Sequence, residues 1–262
     1  MELTLNGARI HYERAGSGIP VIMVHAGVAD HRMWQPQVAP FSKDFDVITP
    51  DMRGFGESTL PTGPWSGADD VEALIDELAL KRAHVVGCSI GGSVAIDFAL
   101  EHPERVSRLV LVGPGVSGMK MDEKHESLWQ EVVEADKAGD MDALNRAEMY
   151  LWLDGRRPRG YVKEPLRRLF LDMNGGNLDN DFEASPRQQL EPPAVDRLQE
   201  ISAPTLVVVG DADLPTIFDA VDLLMEKLPN ARQVVIQDAA HLPNLEHPEE
   251  FNRAVLDFLL ED

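Results

Sequence analysis

Residues 83–92 read Ala83-His84-Val85-Val86-Gly87-Cys88-Ser89-Ile90-Gly91-Gly92, and this stretch decides the fold. An apolar run precedes Ser89 and a helical pattern follows it, so the local order is strand, sharp turn, helix. Incoming strand and outgoing helix then nearly touch, and the small neighbours Gly87 and Gly91 remove the Cβ atoms that would collide. Ser89 sits at the apex in a strained backbone conformation. Its hydroxyl is presented at the carboxyl edge of a sheet, beside helix N–H groups that favour negative charge. This is the G-x-S-x-G nucleophile elbow in its structural context.

Working outward, strands alternate with helices. Residues 3–5 and 9–13 flank Asn6-Gly7, a hairpin signal. Strands are expected at 20–25, 45–49, 83–88, 108–112, 205–209 and 233–236. Helices are expected at 33–41, 69–80, 92–102, 217–228 and 249–260. That alternation predicts an α/β fold, a mostly parallel twisted sheet with helices on both faces. Sites in such sheets lie beyond the carboxyl ends of the strands.

Residues 115–203 break the alternation. They read as helical pieces at 122–138, 140–153 and 163–173, with Asn174-Gly175-Gly176-Asn177 as a loop. The expected division is therefore a core from 1–114 and 204–262, with a helical cap from 115–203. The larger apolar groups of the cap are Met119, Met121, Trp129, Met149, Trp152, Phe170 and Met173. Most are expected to pack cap against core. A subset (Trp129, Met149 and Trp152, with Val28 and Leu242 from the core) is expected to line a pocket above Ser89.

A serine hydroxyl needs a base, and histidine titrates nearest neutral pH. Of eight histidines, His241 lies just past the strand ending at Ile236, where a base for Ser89 should hang. His247 directly precedes Pro248 and suits the opening of the last helix instead. His11, His31, His84, His102 and His125 read as ordinary hydrogen-bonded or solvated side chains, and no pair has zinc-site spacing. The base needs an orienting carboxylate. The strand 205–209 runs into Gly210-Asp211-Ala212-Asp213. Asp213, further beyond the strand end, is the better placed, and Asp211 suits a turn cap. Two donors for a developing oxyanion are expected from the backbone N–H of Ile90 and from the loop His25-Ala26-Gly27-Val28. There Gly27 is the first choice and Val28 the next, with His25 bonding within its own loop.

With these residues in view, the chain resembles the α/β-hydrolase superfamily over nearly its whole length. The resemblance rests on His25-Ala26-Gly27, Asp51-Met52-Arg53-Gly54-Phe55-Gly56-Glu57-Ser58, the elbow, Gly210-Asp211-Ala212-Asp213, and His241 followed by Glu246, Pro248 and Phe251. The order Ser89, Asp213, His241 is that of the superfamily. The spacing from His25 to Met33-Trp34 is similar to the small esterase, perhydrolase and enol-lactonase branch. Ala26 and Cys88 depart from residues usual in the family. Alternation along the strand turns Cys88 away from substrate.

The resemblance implies a cofactor-free, metal-free serine hydrolase cleaving a small carboxylic ester or lactone through an acyl-enzyme. Two alternatives stand beside it. One is a C–C bond hydrolase of the meta-cleavage or β-diketone type, for which Arg156, Arg157, Arg159, Arg167 and Arg168 are candidate anchors. The other is a non-turnover ligand receptor on the same fold. Composition narrows the partners. The chain has 262 residues and a net charge of −21, from 45 acidic and 24 basic residues. That balance disfavours nucleic acid and anionic membranes. A small-molecule ester or lactone is the expected partner. One cysteine excludes an intramolecular disulfide. With no basic-then-apolar start and no apolar run near ~20 residues, a cytoplasmic location is expected.

Overall fold

A computed structural model describes residues 1–120 and 122–261. Met121 lies outside the described residues. The strands are β1 (Glu2–Leu5), β2 (Ala8–Gly16), β3 (Ile19–Val24), β4 (Phe45–Pro50), β5 (Ala83–Cys88), β6 (Val106–Val112), β7 (Thr205–Gly210) and β8 (Ala231–Ile236). They form one sheet in the order β1-β2-β4-β3-β5-β6-β7-β8. β1 and β2 are antiparallel to their neighbours, joined by the Asn6-Gly7 turn with both φ values positive. From β4 to β8 every pairing is parallel.

The helices are α1 (Gln35–Phe41), α2 (Gly67–Glu77), α3 (Ile90–Glu101), α4 (Gln130–Ala138), α5 (Met141–Met149), α6 (Leu166–Asn177), α7 (Pro215–Lys227), α8 (Pro243–Glu246) and α9 (Pro248–Leu259). Among the described residues, none is long and apolar enough to cross a membrane.

Side-chain alternation along β5 makes two cores. Ala83 and Val85 join the cluster under α2, α3 and α7, whereas Val86 and Cys88 join the one under α1 and α9. Both faces of the central strands are covered, which is why β4, β5 and β7 read as unbroken buried runs. Burying each large apolar side chain contributes about 1.5–3 kcal/mol relative to exposure. Parallel pairing also brings the carboxyl ends of β3, β5, β6, β7 and β8 to one edge.

Between β6 and β7, α4, α5 and α6 lie outside the sheet. Gly139 closes α4 in the left-handed conformation, and Asp140 caps α5 by accepting from Ala143 N–H at 2.9 Å. The expected loop at 174–177 is helical instead. Its two asparagines are held by tertiary bonds that outweigh the poor helix propensity of the glycines. Asn174 Nδ2 donates to Asn145 Oδ1 at 3.0 Å and to Glu148 Oε2 at 2.6 Å. Asn177 Nδ2 donates to Ala29 O at 2.9 Å, and its Oδ1 accepts from Gly56 N–H at 3.0 Å.

His84 departs from the sequence expectation. It is buried in β5, edge-on to Phe45, and neither ring nitrogen has a hydrogen-bond partner. Burial, with Arg108 and Arg82 nearby, lowers its pKa to about 4. The native ring stays neutral where the unfolded chain takes up a proton. Its contribution is therefore complete above about pH 6.5 and is lost as pH falls toward 4, up to about 3 kcal/mol. His84→Leu should flatten the fall in urea unfolding midpoint between pH 6.5 and 4.5 relative to wild type. Parallel pH profiles for the two proteins would contradict this.

Candidate active site

The elbow forms as its sequence requires. Ser89 has φ 55° and ψ −115°, a strained conformation for a side-chain-bearing residue. Three backbone bonds fix it: Ser89 N–H to Val112 O, Gly115 N–H to Ser89 O and Ser93 N–H to Ser89 O, each 3.0 Å. A Cβ at Gly87 would lie 2.2 Å from Gly91 O, and one at Gly91 would lie 2.4 Å from Val24 O. Larger residues at either position would force the helix off the sheet. Cys88 points into the opposite core, where burial pushes its thiol pKa well up.

The loop after β3 meets the elbow from the other side. A Cβ on Gly27 would fall 2.6 Å from Ile90 Cδ1. Among the described residues, the N–H groups of Gly27 and Ile90 have no acceptor. His25 is buried, donates from Nδ1 to Ala26 O at 2.7 Å and accepts Met52 N–H at Nε2 at 2.9 Å. Those partners fix the tautomer and hold the loop. Burial lowers the pKa of His25, which keeps the ring neutral for both bonds.

Asp213 and His241 come together at the ends of β7 and β8. His241 Nδ1 lies 2.9 Å from Asp213 Oδ2 and 3.2 Å from Oδ1, and each residue is 1% exposed. Asp213 Oδ1 also accepts Leu214 N–H at 2.7 Å. His241 O lies 3.8 Å from Cys88 Sγ, which packs the histidine loop against the elbow. His241 Nε2 is buried and makes no hydrogen bond, so its bond to Ser89 is not closed here. Such contacts tighten when substrate binds. Asp211 does not cap the turn through Oδ1, which is buried without a partner.

The β6–β7 insertion grips this histidine. Tyr150–Asp154 is a π-helical turn. In it the Trp152 ring lies 4.3 Å from the His241 ring at 33°, and Trp152 O accepts His241 N–H at 3.2 Å. Trp129 packs edge-on to Trp152 at 5.2 Å. Glu246 accepts Ala240 N–H at 2.7 Å and pairs with Arg157 at 2.5 Å, bracing the loop from below.

The expected pocket residues need correction. Val28, Met149 and Leu242 are packed in the core. Trp129 and Trp152 stack on the histidine side. A cavity of about 270 Å³ opens over Gly27 and Ile90, and its walls include Phe55, Phe182, Glu148 and Arg187. Of the insertion's large apolar residues singled out from the sequence, Met149, Phe170 and Met173 went to packing, whereas Phe182, which was not singled out, lines the wall. The five arginines considered as anchors are engaged elsewhere. Arg156 donates to Asp211 O, Arg157 pairs with Glu246, Arg159 with Glu131, and Arg167 with the buried Asp154; exposed Arg168 faces Glu164. Arg187 was missed because no local motif marks it. Its backbone is placed by a parallel bridge to Trp65, 122 residues earlier in the chain.

Two groupings escaped the spacing argument for metal ligands. His11, Glu13 and His31 approach one another, as do Asp30, His31 and Asp51. Protein bonds account for much of the second group. Asp51 accepts from His31 N–H at 2.7 Å, from His31 Nδ1 at 2.8 Å and from Glu57 N–H at 2.9 Å, and Asp30 pairs with Arg32 at 2.6 Å. Arg53 is held by Asp70 at 2.7 Å.

Comparison with known proteins agrees with this fold. The alpha/beta hydrolase fold family matches residues 19–248, and the chain belongs to that family. The assignment supports hydrolase chemistry. A 2-hydroxy-6-oxononadienedioate/2-hydroxy-6-oxononatrienedioate hydrolase of Comamonas testosteroni is 32% identical, across 98% of this chain and 93% of that protein. A 2-hydroxy-6-oxo-6-phenylhexa-2,4-dienoate hydrolase of Burkholderia cepacia is 30% identical with the same coverage. The crystal structure of the enol-lactonase from Burkholderia xenovorans LB400 superposes with a TM-score of 0.81 at 29% identity, covering 100% of both chains.

Gly113 tests whether this arrangement matters. It has φ 45°, and a Cβ there would stand 3.1 Å from both Asp213 Oδ2 and His241 Nδ1. Gly113→Ala should lower kcat for p-nitrophenyl acetate roughly tenfold to a hundredfold by displacing the imidazole. Backbone strain should cost only about 1–2 kcal/mol in stability. An unchanged kcat in the folded variant would contradict the geometry.

Proposed function

We propose that this chain is a cofactor-free Ser-His-Asp hydrolase that cleaves a C–C bond beside a ketone, in a dicarbonyl substrate of the 2-hydroxy-6-oxo-dienoate kind. The residues between β6 and β7 act as its cap. The observation that carries the reading is the likeness, over almost the whole chain, to two C–C bond hydrolases, joined to a cavity with charged as well as aromatic walls. A purely apolar pocket would suit a simple ester; a dicarbonyl needs polar groups to hold it.

In this mechanism Ser89 Oγ adds to the ketone carbon and its proton passes to His241 Nε2. Asp213 holds Nδ1–H and stabilises the imidazolium. The N–H groups of Gly27 and Ile90 hold the new oxyanion, each worth roughly 2.7–4 kcal/mol of barrier. Collapse breaks the C–C bond. For the electron pair to delocalise, the 2-enol has first passed its proton to C5, giving the 2,6-dioxo-3-enoate tautomer. Collapse therefore releases C5 as a dienolate conjugated with the C2 carbonyl, and this carbon takes the proton from His241. Water, deprotonated by His241, then releases the acyl group from Ser89 as a carboxylic acid.

Trp152 is a positioning residue here, since it clamps the ring of His241 and the backbone beside it. A second reading, hydrolysis of a small ester or lactone, draws on the likeness to the enol-lactonase. The same residues would serve it, with an alkoxide leaving in place of carbon. We retain a cytoplasmic location within the proposal, on the strength of a single, buried cysteine.

A substrate panel decides between the readings. The proposal expects repeated turnover of a 2-hydroxy-6-oxo-dienoate, with kcat/KM at least tenfold above that for p-nitrophenyl butyrate and for a γ-lactone. Ester or lactone turnover with no cleavage of the dienoate would contradict it, and a single turnover on every substrate would favour a receptor.

A further inference from the structure

We infer that His11, Glu13 and His31 form a binding site for a divalent transition-metal ion of the zinc type, apart from the reacting groups of the Ser89 site. Each of the three offers one ligand atom, and these atoms all lie within 4.8 Å of one another. The reaction proposed above uses none of them, and none lines the cavity over Gly27 and Ile90.

The backbone sets up the convergence. His11 and Glu13 stand two apart on β2, so their side chains leave the same face of the strand. The alternate residues Ile10 and Tyr12 enter the core, which turns His11 and Glu13 the other way. His31 opens the short 3-10 turn His31–Trp34, which follows the Gly27 loop. The segment after β4 then holds both histidines. Asp51 N–H donates to His11 O at 2.9 Å, His11 N–H to Ser58 Oγ at 2.9 Å, and His31 N–H to Asp51 Oδ1 at 2.7 Å. The two rings come to lie 4.9 Å apart between centroids. A site whose ligands are fixed beforehand loses little entropy on binding.

The side-chain chemistry suits a metal. His31 in its neutral form donates from Nδ1 to Asp51 Oδ1 at 2.8 Å, which puts its lone pair on Nε2. A carboxylate behind the ring is the usual companion of a metal-ligating histidine, because it fixes the tautomer and raises the basicity of the other nitrogen. Asp51 is fully buried and is braced by Glu57 N–H at 2.9 Å. His31 Nε2 stands 3.8 Å from Glu13 Oε1, too far for a hydrogen bond. Two ligand atoms on one tetrahedral zinc are roughly 3.3–3.6 Å apart, so a small rotation of the exposed Glu13 side chain closes the difference. His11 Nε2 is buried without a hydrogen-bond partner, and Nδ1 stands 3.5 Å from Glu57, so no protein acceptor claims the ring. The neighbouring cations are engaged elsewhere, Arg14 with Asp46 and Arg32 with Asp30. Among the described residues, no lysine or arginine lies within ion-pair distance of Glu13, whose charged partner is His31. Two imidazoles select a zinc-type ion over calcium or magnesium, which take oxygen ligands. Such an ion would join β2 to the turn after the Gly27 loop, and through Asp51 to the segment that carries Phe55.

Calorimetric titration of zinc chloride into the whole protein, first stripped with a chelator and desalted, tests the site without any substrate. One equivalent should bind with a Kd of about 10 μM or tighter. His11→Gln and Glu13→Gln should each weaken binding roughly tenfold or more, since each removes a ligand. His247→Gln, which alters an exposed histidine outside the cluster, should leave the Kd within about twofold, and a hundredfold excess of calcium should not displace the zinc. Glu13 is exposed on the strand surface, so Glu13→Gln carries the test even if His11→Gln fails to fold. Binding weaker than about 10 μM, a folded ligand variant with wild-type affinity, loss of binding in His247→Gln, or displacement by calcium would each overturn the site. None of these readings depends on which bond Ser89 cleaves, so failure here leaves the proposed reaction untouched, and failure of that reaction leaves the metal site standing.

Discussion

The backbone of one residue constrains everything else in this site. Ser89 is held at φ 55° between the last residue of β5 and the first of α3. Such a conformation costs of order 1–3 kcal/mol and persists only where its surroundings over-determine it. Here they do. Val112 O, Gly115 N–H and Ser93 N–H all bond the serine backbone, and glycines on both sides let helix and strand close to contact. The strain fixes the serine at the sheet edge. It also leaves Ile90 N–H free at the start of the helix, facing the loop that carries Gly27.

Parallel pairing does the rest of the assembly. Because β5, β6, β7 and β8 are in register, Ser89, Gly113, Asp213 and His241 emerge at one edge from segments far apart in the chain. The insertion between β6 and β7 then completes the site in two places. Its π-turn places Trp152 against His241, and its return segment places Arg187 on the cavity wall. The insertion is thus tied to the core by hydrogen bonds at Asn177, Trp152 and Arg156 as well as by apolar packing.

What the sequence made legible was local or periodic. The elbow, the Asn6-Gly7 hairpin and the alternation of strands and helices depend on near neighbours, so their spacing sufficed. Asp213 and His241 could be chosen because each stands just past the end of a recognisable strand. The misses share another cause. Residues 174–177 look like a loop, yet form a helix because distant partners hold both asparagines. His84 looks unremarkable, yet is buried with no partner because its strand is covered on both faces. Arg187 sits in an irregular segment whose placement is set by Trp65. Size misled the choice of pocket residues, since Met149 and Leu242 serve the core and the wall combines polar helix residues such as Glu148 and Asn174 with Phe55, Phe182 and Arg187 from irregular segments.

The central claim is that His241, oriented by Asp213, makes the hydroxyl of Ser89 a nucleophile. The rate of covalent capture by a fluorophosphonate, followed by peptide mapping, reads that property whatever the substrate. The account predicts one adduct, on Ser89, formed at a rate that falls at least a hundredfold in His241→Ala with the fold retained. An adduct on another serine, or capture of Ser89 at an undiminished rate without the imidazole, would contradict it.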